Sequence, residues 1–134
     1  MTSVVDASAT RAWLFGEADP CDWIESCLKS GSLVAPSLCQ LEVVHAVLKK
    51  ERQHVITPQQ SDTFLQILDA ISIEIVPPHE RTLQHLASVA RPHQLSSYDA
   101  TYLDLAINRN AELLTLDNNL RDAARRSSIP LVEI

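Results

Sequence analysis

The chain has only two glycines and no long apolar run, and each shortage excludes a class of function. So few glycines leave no glycine-rich loop of the kind that cradles nucleotide phosphates. No apolar run approaches the roughly 20 residues that a membrane-spanning helix needs. The first residues, MTSVVDASA, lack a basic region followed by a long apolar stretch, so no secretory signal is predicted. We therefore expect a cytoplasmic protein with no membrane association.

Cysteine and histidine are also arranged in ways that exclude common metal and redox chemistry. The three cysteines, Cys21, Cys27 and Cys39, are odd in number and form no CxxC pair. We interpret them as buried or partly buried free thiols in a reducing compartment. The five histidines are scattered without an HExxH spacing, so a zinc site is not predicted.

The remaining composition is that of an ordinary globular protein. The 134 residues are 46% hydrophobic and 21% charged, which predicts a single domain over residues 1–134 with a substantial core. A net charge of −6 seldom accompanies nucleic-acid binding. Divalent cations bound at clustered carboxylates would offset part of that charge, so the balance neither indicates nor excludes RNA as a substrate.

Apolar periodicity and turn residues predict that strands and helices alternate along the chain. Strands are predicted at residues 4–6, 33–36, 73–76, 113–116 and 129–134. Helices are predicted at residues 7–15, 19–29, 38–53 with Ser37 as the cap, from Thr57 and Pro58 onward, at 79–89, from Ser96 onward and at 118–126. The alternation indicates an α/β domain in which helices cover both faces of a mostly parallel sheet of four to five strands.

Acidic residues lie where this topology would bring them together: Asp6, Glu42, Asp99 and Asp117. Asp6 and Asp117 end predicted strands, and the carboxyl ends of parallel strands share one edge of a sheet. Glu42 lies in the second turn of a helix that leaves a strand at that edge. Asp99 lies in the first turn of its own helix. We therefore predict that the side chains of these acids meet.

Each acid also has a structural interpretation when it is considered alone. Asp6 and Asp117 are suited to cap helices, and Asp99 to interact with a helix dipole. Glu42 is harder to explain this way, because an unpaired carboxylate among apolar neighbours is costly. Clustered carboxylates need a counter-charge, and oxygen-only sites suit Mg²⁺ or Mn²⁺. Such a site supports attack of metal-activated water on a phosphodiester.

At these residues the chain resembles the PIN-domain family, and within it the VapC-type toxins of bacterial toxin–antitoxin pairs. The matching segments are VVDASA, LCQLEVVHAVLK, SSYDATYLDLA and LLTLD, which span nearly the whole chain. The resemblance implies a three-layer α/β/α fold and an Mg²⁺- or Mn²⁺-dependent endoribonuclease. It implies catalytic and metal-binding roles for Asp6, Glu42, Asp99 and Asp117. It also implies a VapB-type antitoxin that blocks the site, a homodimer, and a DNA-binding repressor complex with the antitoxin.

Several further residues are candidates for weaker roles near the acids. The resemblance implies that Ser8 and Thr115 support the site by hydrogen bonds. His45 occupies a position that is often Asn in the family, and we expect a partly buried histidine there, or one that contacts substrate. Basic runs close two helices, and within them Lys49 and Arg121 are candidate phosphate contacts. We further predict that Asp104 faces solvent and that Trp13, Phe15 and Trp23 belong to the core. The alternative for these three aromatic side chains is an apolar groove for a partner helix.

Two other classes of function fit a doubly wound domain. A phosphoryl-transfer or signalling domain is one alternative. A haloacid-dehalogenase-type phosphatase would carry an acid at the position of Ser8, and a receiver-type domain would carry a lysine near a late strand. LLTLDNN has no such lysine. The other alternative is a catalytically silent PIN-like binding module, which the presence of all the acids disfavours.

Overall fold

A parallel β-sheet forms the centre of the described part of the chain. The structure is a computed structural model that describes residues 1–17, 23–77 and 82–133. The strands are β1 (Thr2–Val5), β2 (Ser32–Pro36), β3 (Ile73–Val76) and β4 (Glu112–Leu114). Their order is β3-β2-β1-β4, and every neighbouring pair is parallel. The predicted mostly parallel sheet is therefore confirmed.

Helices occupy the connections between these strands. They are α1 (Ala7–Phe15), α2 (Trp23–Ser30), α3 (Ser37–Arg52), α4 (Pro58–Ala70), α5 (Leu83–Ala90), α6 (Ser97–Arg109) and α7 (Asn118–Arg126), with a short 3-10 helix at Arg91–His93. Both faces of the sheet are buried, because the neighbouring residues Val4 and Val5, and likewise Leu113 and Leu114, point to opposite faces and are fully buried. Within the described residues, no helix is long and apolar enough to cross a membrane.

The strand order creates a topological switch point between β1 and β4. After β1 the chain moves to β2 and then β3 on one side, and it later crosses back to place β4 on the other side of β1. A crevice opens at such a point, outside the carboxyl ends of the two strands. Asp6 follows β1 directly, and its backbone N–H donates to the carbonyl of Leu114 at 3.1 Å. Side chains that follow β1 and β4 therefore meet at this crevice.

Helix ends follow the capping chemistry of the sequence with one exception. Asp6, Thr57, Ser96 and Asp117 each accept a hydrogen bond from the first turn of the following helix. Ser37, however, is not the cap of α3. Pro36 holds that position without a side-chain hydrogen bond, and Ser37 is the first helical residue. The extended β2 runs directly into α3, so no polar turn separates them.

Other predicted boundaries are wrong or fall outside the described residues. The predicted strand at residues 129–134 is not formed over its described part, residues 129–133, where a single bridge joins Leu131 to Leu113. Pro130 has no backbone N–H to donate, so only its carbonyl pairs, with the N–H of Leu113 at 2.8 Å. Helix α5 begins at Leu83, because Thr82 is an extended cap. The predicted helix starts at residues 19 and 79, and Cys21, lie outside the described residues.

The structure supports the core interpretation of the aromatic side chains in the first two helices. Trp23 is buried in the core, so it does not line a partner groove. Trp13 and Phe15 are partly buried against the same core. Phe15 also packs edge-on against Phe64, with the ring centroids 5.1 Å apart. The three aromatic side chains thus stabilise the packing of the first helices rather than form one exposed groove.

Candidate active site

Asp6 is the most buried of the four predicted site acids, and donors hold both of its carboxylate oxygens. Its Oδ1 accepts from the hydroxyl of Ser8 at 2.7 Å and from the backbone N–H of Ala9 at 3.0 Å. Its Oδ2 accepts from the hydroxyl of Thr115. The side chain is 3% exposed, so these bonds replace the water that it would otherwise bind. Its orientation is therefore fixed.

The same hydroxyls join the end of β1 to the end of β4. Ser8 donates to Asp6 and accepts from the backbone N–H of Leu116 at 3.0 Å. Thr115 donates to Asp6 and accepts from the backbone N–H of Asp117 at 3.0 Å. Each hydroxyl therefore donates its single proton to the carboxylate of Asp6. The lone pair of Ser8 accepts from the other strand end, whereas that of Thr115 accepts from its own segment. The position of Asp117 relative to Asp6 is set by these bonds.

Asp117 caps α7, as its sequence position suggested, and it also interacts electrostatically with other acids of the site. Its Oδ1 accepts from the backbone N–H of Leu120 at 2.9 Å, which caps α7. The side chain is half-buried, and its negative charge reaches both Asp6 and Asp99. A capping carboxylate at a helix N-terminus keeps its second oxygen available to a further ligand.

Asp99 connects the acids electrostatically. It lies in the first turn of α6, which the hydroxyl of Ser96 caps by accepting from the Asp99 backbone N–H at 3.1 Å. Burial raises the pKa of Asp99 above its ordinary value, and the charges of Asp117, Asp6 and Glu42 raise it further. Asp99 therefore lies within electrostatic reach of the other acids that were predicted at this edge of the sheet.

Burial likewise raises the pKa of Asp6, and the charge of Asp117 adds to that effect. The hydrogen bonds from Thr115, Ala9 and Ser8 oppose it, because they favour the ionised carboxylate. Both shifts have the sign expected where carboxylates share a partly dehydrated site without a counter-charge. A bound cation would reverse this penalty.

Glu42 reaches the site from α3, and sequence reasoning missed the residue that holds it. The hydroxyl of Tyr102 donates to Oε1 of Glu42 at 2.7 Å. Burial raises the pKa of Tyr102 far above its usual range, and the negative charges of the Cys39 thiolate and the Glu42 carboxylate raise it further. The hydroxyl therefore remains a donor at neutral pH. The sequence did contain one indication of this role: Tyr102 lies three residues after Asp99, so the two side chains share a face of α6.

A cleft of about 810 Å³ opens beside Glu42, and cationic side chains line part of it. His45 and Lys49 lie on its α3 wall, and Arg11 on its α1 wall. His45 is exposed, so the expectation of a partly buried histidine was wrong: the buried face of α3 runs through Val43 and Val47 instead. Arg121 lies elsewhere, and its guanidinium donates to the carbonyl of Thr115 at 2.9 Å.

Two acids outside the cluster are accounted for by other partners. Asp104 is 5% exposed and lies 2.9 Å from Nε2 of His85, so the expectation that it faces solvent was wrong. The packing of α5 against α6 buries it. Asp122 is exposed and pairs with Arg125 at 2.9 Å.

The donor chemistry of the cluster fits a hard divalent cation. Its members are carboxylates, which Mg²⁺ and Mn²⁺ prefer, and none of the four is a thiol or an imidazole. Among the described residues, no three acidic, histidine or cysteine side chains already lie close enough to hold a metal ion. Repulsion between the unneutralised charges favours such a spread arrangement.

Fold and site together describe a doubly wound α/β domain with an acidic cluster at its switch point. The sequence matches the PIN domain model over residues 3–126. The chain therefore belongs to the PIN domain family, and the predicted family and three-layer fold are confirmed.

Individual relatives are similar over nearly the whole chain. Ribonuclease VapC1 of Mycobacterium tuberculosis is 29% identical over 120 residues, which cover 90% of this chain and 89% of the relative. The solved structure of PAE2754 from Pyrobaculum aerophilum has a TM-score of 0.72 at 24% identity, covering 92% of this chain and 79% of that chain. VapBC2 of Rickettsia felis, solved with a DNA fragment from their promoter, has a TM-score of 0.74 at 16% identity, covering 98% and 97%.

The raised pKa values lead to a prediction for the metal-free protein. A carboxyl group whose pKa is raised on folding stabilises the folded state below its unfolded value of 3.8. That stabilisation is lost as pH rises through the higher pKa of the folded state. Asp99→Asn removes one such group. In EDTA, we expect the variant to melt above the wild type at about pH 7, and the difference to shrink toward about pH 4.

Thermal melting followed by circular dichroism over this pH range measures the difference. Asp122→Asn is the matched control, because it removes an exposed carboxylate on α7 that lies outside the cluster. The control is expected to show no pH-dependent gain. Parallel melting curves for wild type and Asp99→Asn at every pH would contradict the electrostatic account of the cluster.

Proposed function

We propose that this PIN-domain protein is a metal-dependent endoribonuclease, the toxin of a toxin–antitoxin pair. The observation that carries the proposal is the placement of Asp6 and Asp117 at the ends of adjacent parallel strands, where Ser8 and Thr115 join them by hydrogen bonds. The negative charges of Glu42 and Asp117 also act on Asp99, which supports a shared site. The similarity to Ribonuclease VapC1 supports RNA as the substrate. The location at the β1–β4 switch point supports a binding site rather than an incidental acidic surface.

Asp6, Glu42, Asp99 and Asp117 would hold Mg²⁺ or Mn²⁺ in this proposal. When bound, such an ion lowers the pKa of water and stabilises negative charge on phosphoryl oxygens. The protein's part is to keep its carboxylates ionised and correctly oriented. Ser8 and Thr115 do this for Asp6 through hydrogen bonds that favour the charged form.

The cationic wall of the cleft is suited to the sugar-phosphate backbone of RNA. Arg11 and Lys49 have no ion-pair partner among residues 1–17, 23–77 and 82–133, whereas Lys50 pairs with Glu17 at 3.0 Å. Unpaired cations at the cleft attract phosphate, while the acidic cluster needs a metal before phosphate can approach. His45 lies between Glu42 and Lys49 on α3 and faces the same cleft. Arg121 would act through the carbonyl of Thr115 rather than at the phosphate.

The remaining parts of the proposal concern partners. The VapBC2 structure contains a complex bound to a promoter fragment, which supports a cognate VapB-type antitoxin for this chain. We further propose a cytoplasmic homodimer that the antitoxin inhibits and recruits to operator DNA. A small upstream gene encoding a DNA-binding N-terminal part and a polar C-terminal part would agree with this arrangement.

Expression in bacterial cells tests the toxin function. Inducing the wild-type chain is expected to arrest growth, because cleavage of cellular RNA stops translation. Asp99→Asn should relieve the arrest, and Asp122→Asn should not, since Asp122 lies outside the cluster. Immunoblots must show equal amounts of the three proteins.

Normal growth of cells that contain the wild-type protein would contradict the toxin proposal and favour the silent binding module. Equal arrest by wild type and Asp99→Asn would show that toxicity does not depend on the acidic cluster.

A further inference from the structure

Tyr102 occupies a position from which it controls one of the proposed metal-binding carboxylates. Its ring lies on α6, one turn after Asp99, and the side chain is 1% exposed. Its hydroxyl donates to Oε1 of Glu42 at 2.7 Å, across the contact between α6 and α3. Resting on the proposed function, we propose that Tyr102 is a positioning residue that orients Glu42 toward the metal.

Glu42 needs such a partner, because its side chain has several rotatable bonds and borders an open cleft. Among the described residues, Tyr102 is the only side chain that hydrogen-bonds to Glu42. The alternative attractions are the cations that line the same cleft, Lys49 on α3 and Arg11 on α1. The bond from Tyr102 holds one oxygen of Glu42 and leaves the other for a ligand.

Tyr102 is held in turn by a buried polar chain that begins at Asp6. The hydroxyl of Thr10 donates to the backbone carbonyl of Asp6 at 2.8 Å, and its oxygen lies 3.8 Å from Sγ of Cys39. Cys39 interacts with the hydroxyl of Tyr102. Thr10, Cys39 and Tyr102 are all buried, so water does not compete for these contacts. These buried side chains link the acid after β1 to the acid on α3.

The first test compares Tyr102→Phe with Tyr98→Phe. Both remove a hydroxyl from the same helix, but Tyr98 is 60% exposed and has no hydrogen-bond partner among the described residues. Mn²⁺ affinity measured by titration calorimetry is expected to fall about 10- to 100-fold in Tyr102→Phe. Tyr98→Phe should bind Mn²⁺ like the wild type. For RNA cleavage by Tyr102→Phe we expect a lower kcat with little change in KM.

A double-mutant cycle separates positioning from a general loss of stability. If Tyr102 acts through Glu42, Tyr102→Phe should not weaken Mn²⁺ binding further in a Glu42→Gln background. An equal further loss in that background would overturn the proposal. So would wild-type Mn²⁺ affinity in folded Tyr102→Phe, or a wild-type protein that binds no Mn²⁺.

A second measurement needs no substitution at Tyr102. Fluorotyrosine labelling gives two ¹⁹F resonances, one from each tyrosine. The Tyr102 resonance is expected to shift on addition of Mg²⁺ in the wild type and to stay fixed in Glu42→Gln. An unchanged resonance in the wild type would overturn the proposal even if Tyr102→Phe failed to fold.

These readouts are independent of the ribonuclease activity. If the wild type cleaves no RNA but Tyr102→Phe still weakens Mn²⁺ binding, the positioning role stands and the proposed function is refuted. If the wild type cleaves RNA but Tyr102→Phe binds Mn²⁺ with full affinity, the proposed function stands and the positioning role is refuted.

Discussion

Asp99→Asn is expected to lower metal-dependent RNA cleavage at least about 100-fold while the fold is retained. A bound metal ion contributes several kcal/mol of charge stabilisation, and about 1.4 kcal/mol corresponds to tenfold in rate. Asp99 is the carboxylate on which the charges of Asp6, Glu42 and Asp117 all act, so its loss changes the whole cluster. Asn keeps the size and the backbone bond to Ser96, so α6 remains capped.

Initial rates of cleavage of a structured RNA measure this effect. Asp122→Asn is the control, because it removes the same charge from an exposed ion pair on α7. It should cleave at nearly the wild-type rate. A rate for Asp99→Asn within about threefold of the wild-type rate would show that Asp99 has no part in the mechanism, because the loss of a metal ligand is expected to cost several kcal/mol.

The switch point explains why residues far apart in the chain form one site. Asp6 and Asp117 follow adjacent parallel strands, so the hydrogen bonds of Ser8 and Thr115 can tie them together. Asp99 comes from α6, which packs against β1 and β4, and Glu42 comes from α3, which follows β2 and packs against α1. The site thus depends on the order of β4 beside β1, and pairing β4 with another strand would separate Asp117 from Asp6.

Much of this arrangement could be predicted from the sequence, because it rests on local rules. Caps such as Thr57 and Ser96 and short apolar runs such as residues 113–116 mark the ends of helices and strands. Parallel strands then place the residues that follow them at a shared edge. The positions of Asp6 and Asp117 need no more than these rules.

What could not be predicted depends on how helices rotate and pack. His45 and Asp104 were assigned the wrong exposure, since helical spacing gives the relative angle of two residues but not the face that turns inward. The packing of α5 against α6 buries Asp104 beside His85. Tyr102 was missed for the same reason: its partner Glu42 is distant in sequence and is brought close only by helix packing.

Removal of divalent metal is expected to have an effect as large as that of Asp99→Asn. None of the four carboxylates forms an ion pair with a lysine or arginine among the described residues, so no side chain there neutralises their negative charge. Without a cation, the cluster would repel the substrate as well as lack an activator. We therefore expect cleavage to fall at least about 100-fold in EDTA.

RNA cleavage by one wild-type preparation in EDTA, and again after excess Mg²⁺ or Mn²⁺ is added, tests the central claim most directly. Ca²⁺ at the same concentration controls for ionic effects on the RNA itself. We predict that cleavage disappears in EDTA and returns with Mg²⁺ or Mn²⁺. Cleavage that continues undiminished in EDTA, and that Asp99→Asn leaves intact, would contradict a metal-dependent carboxylate site.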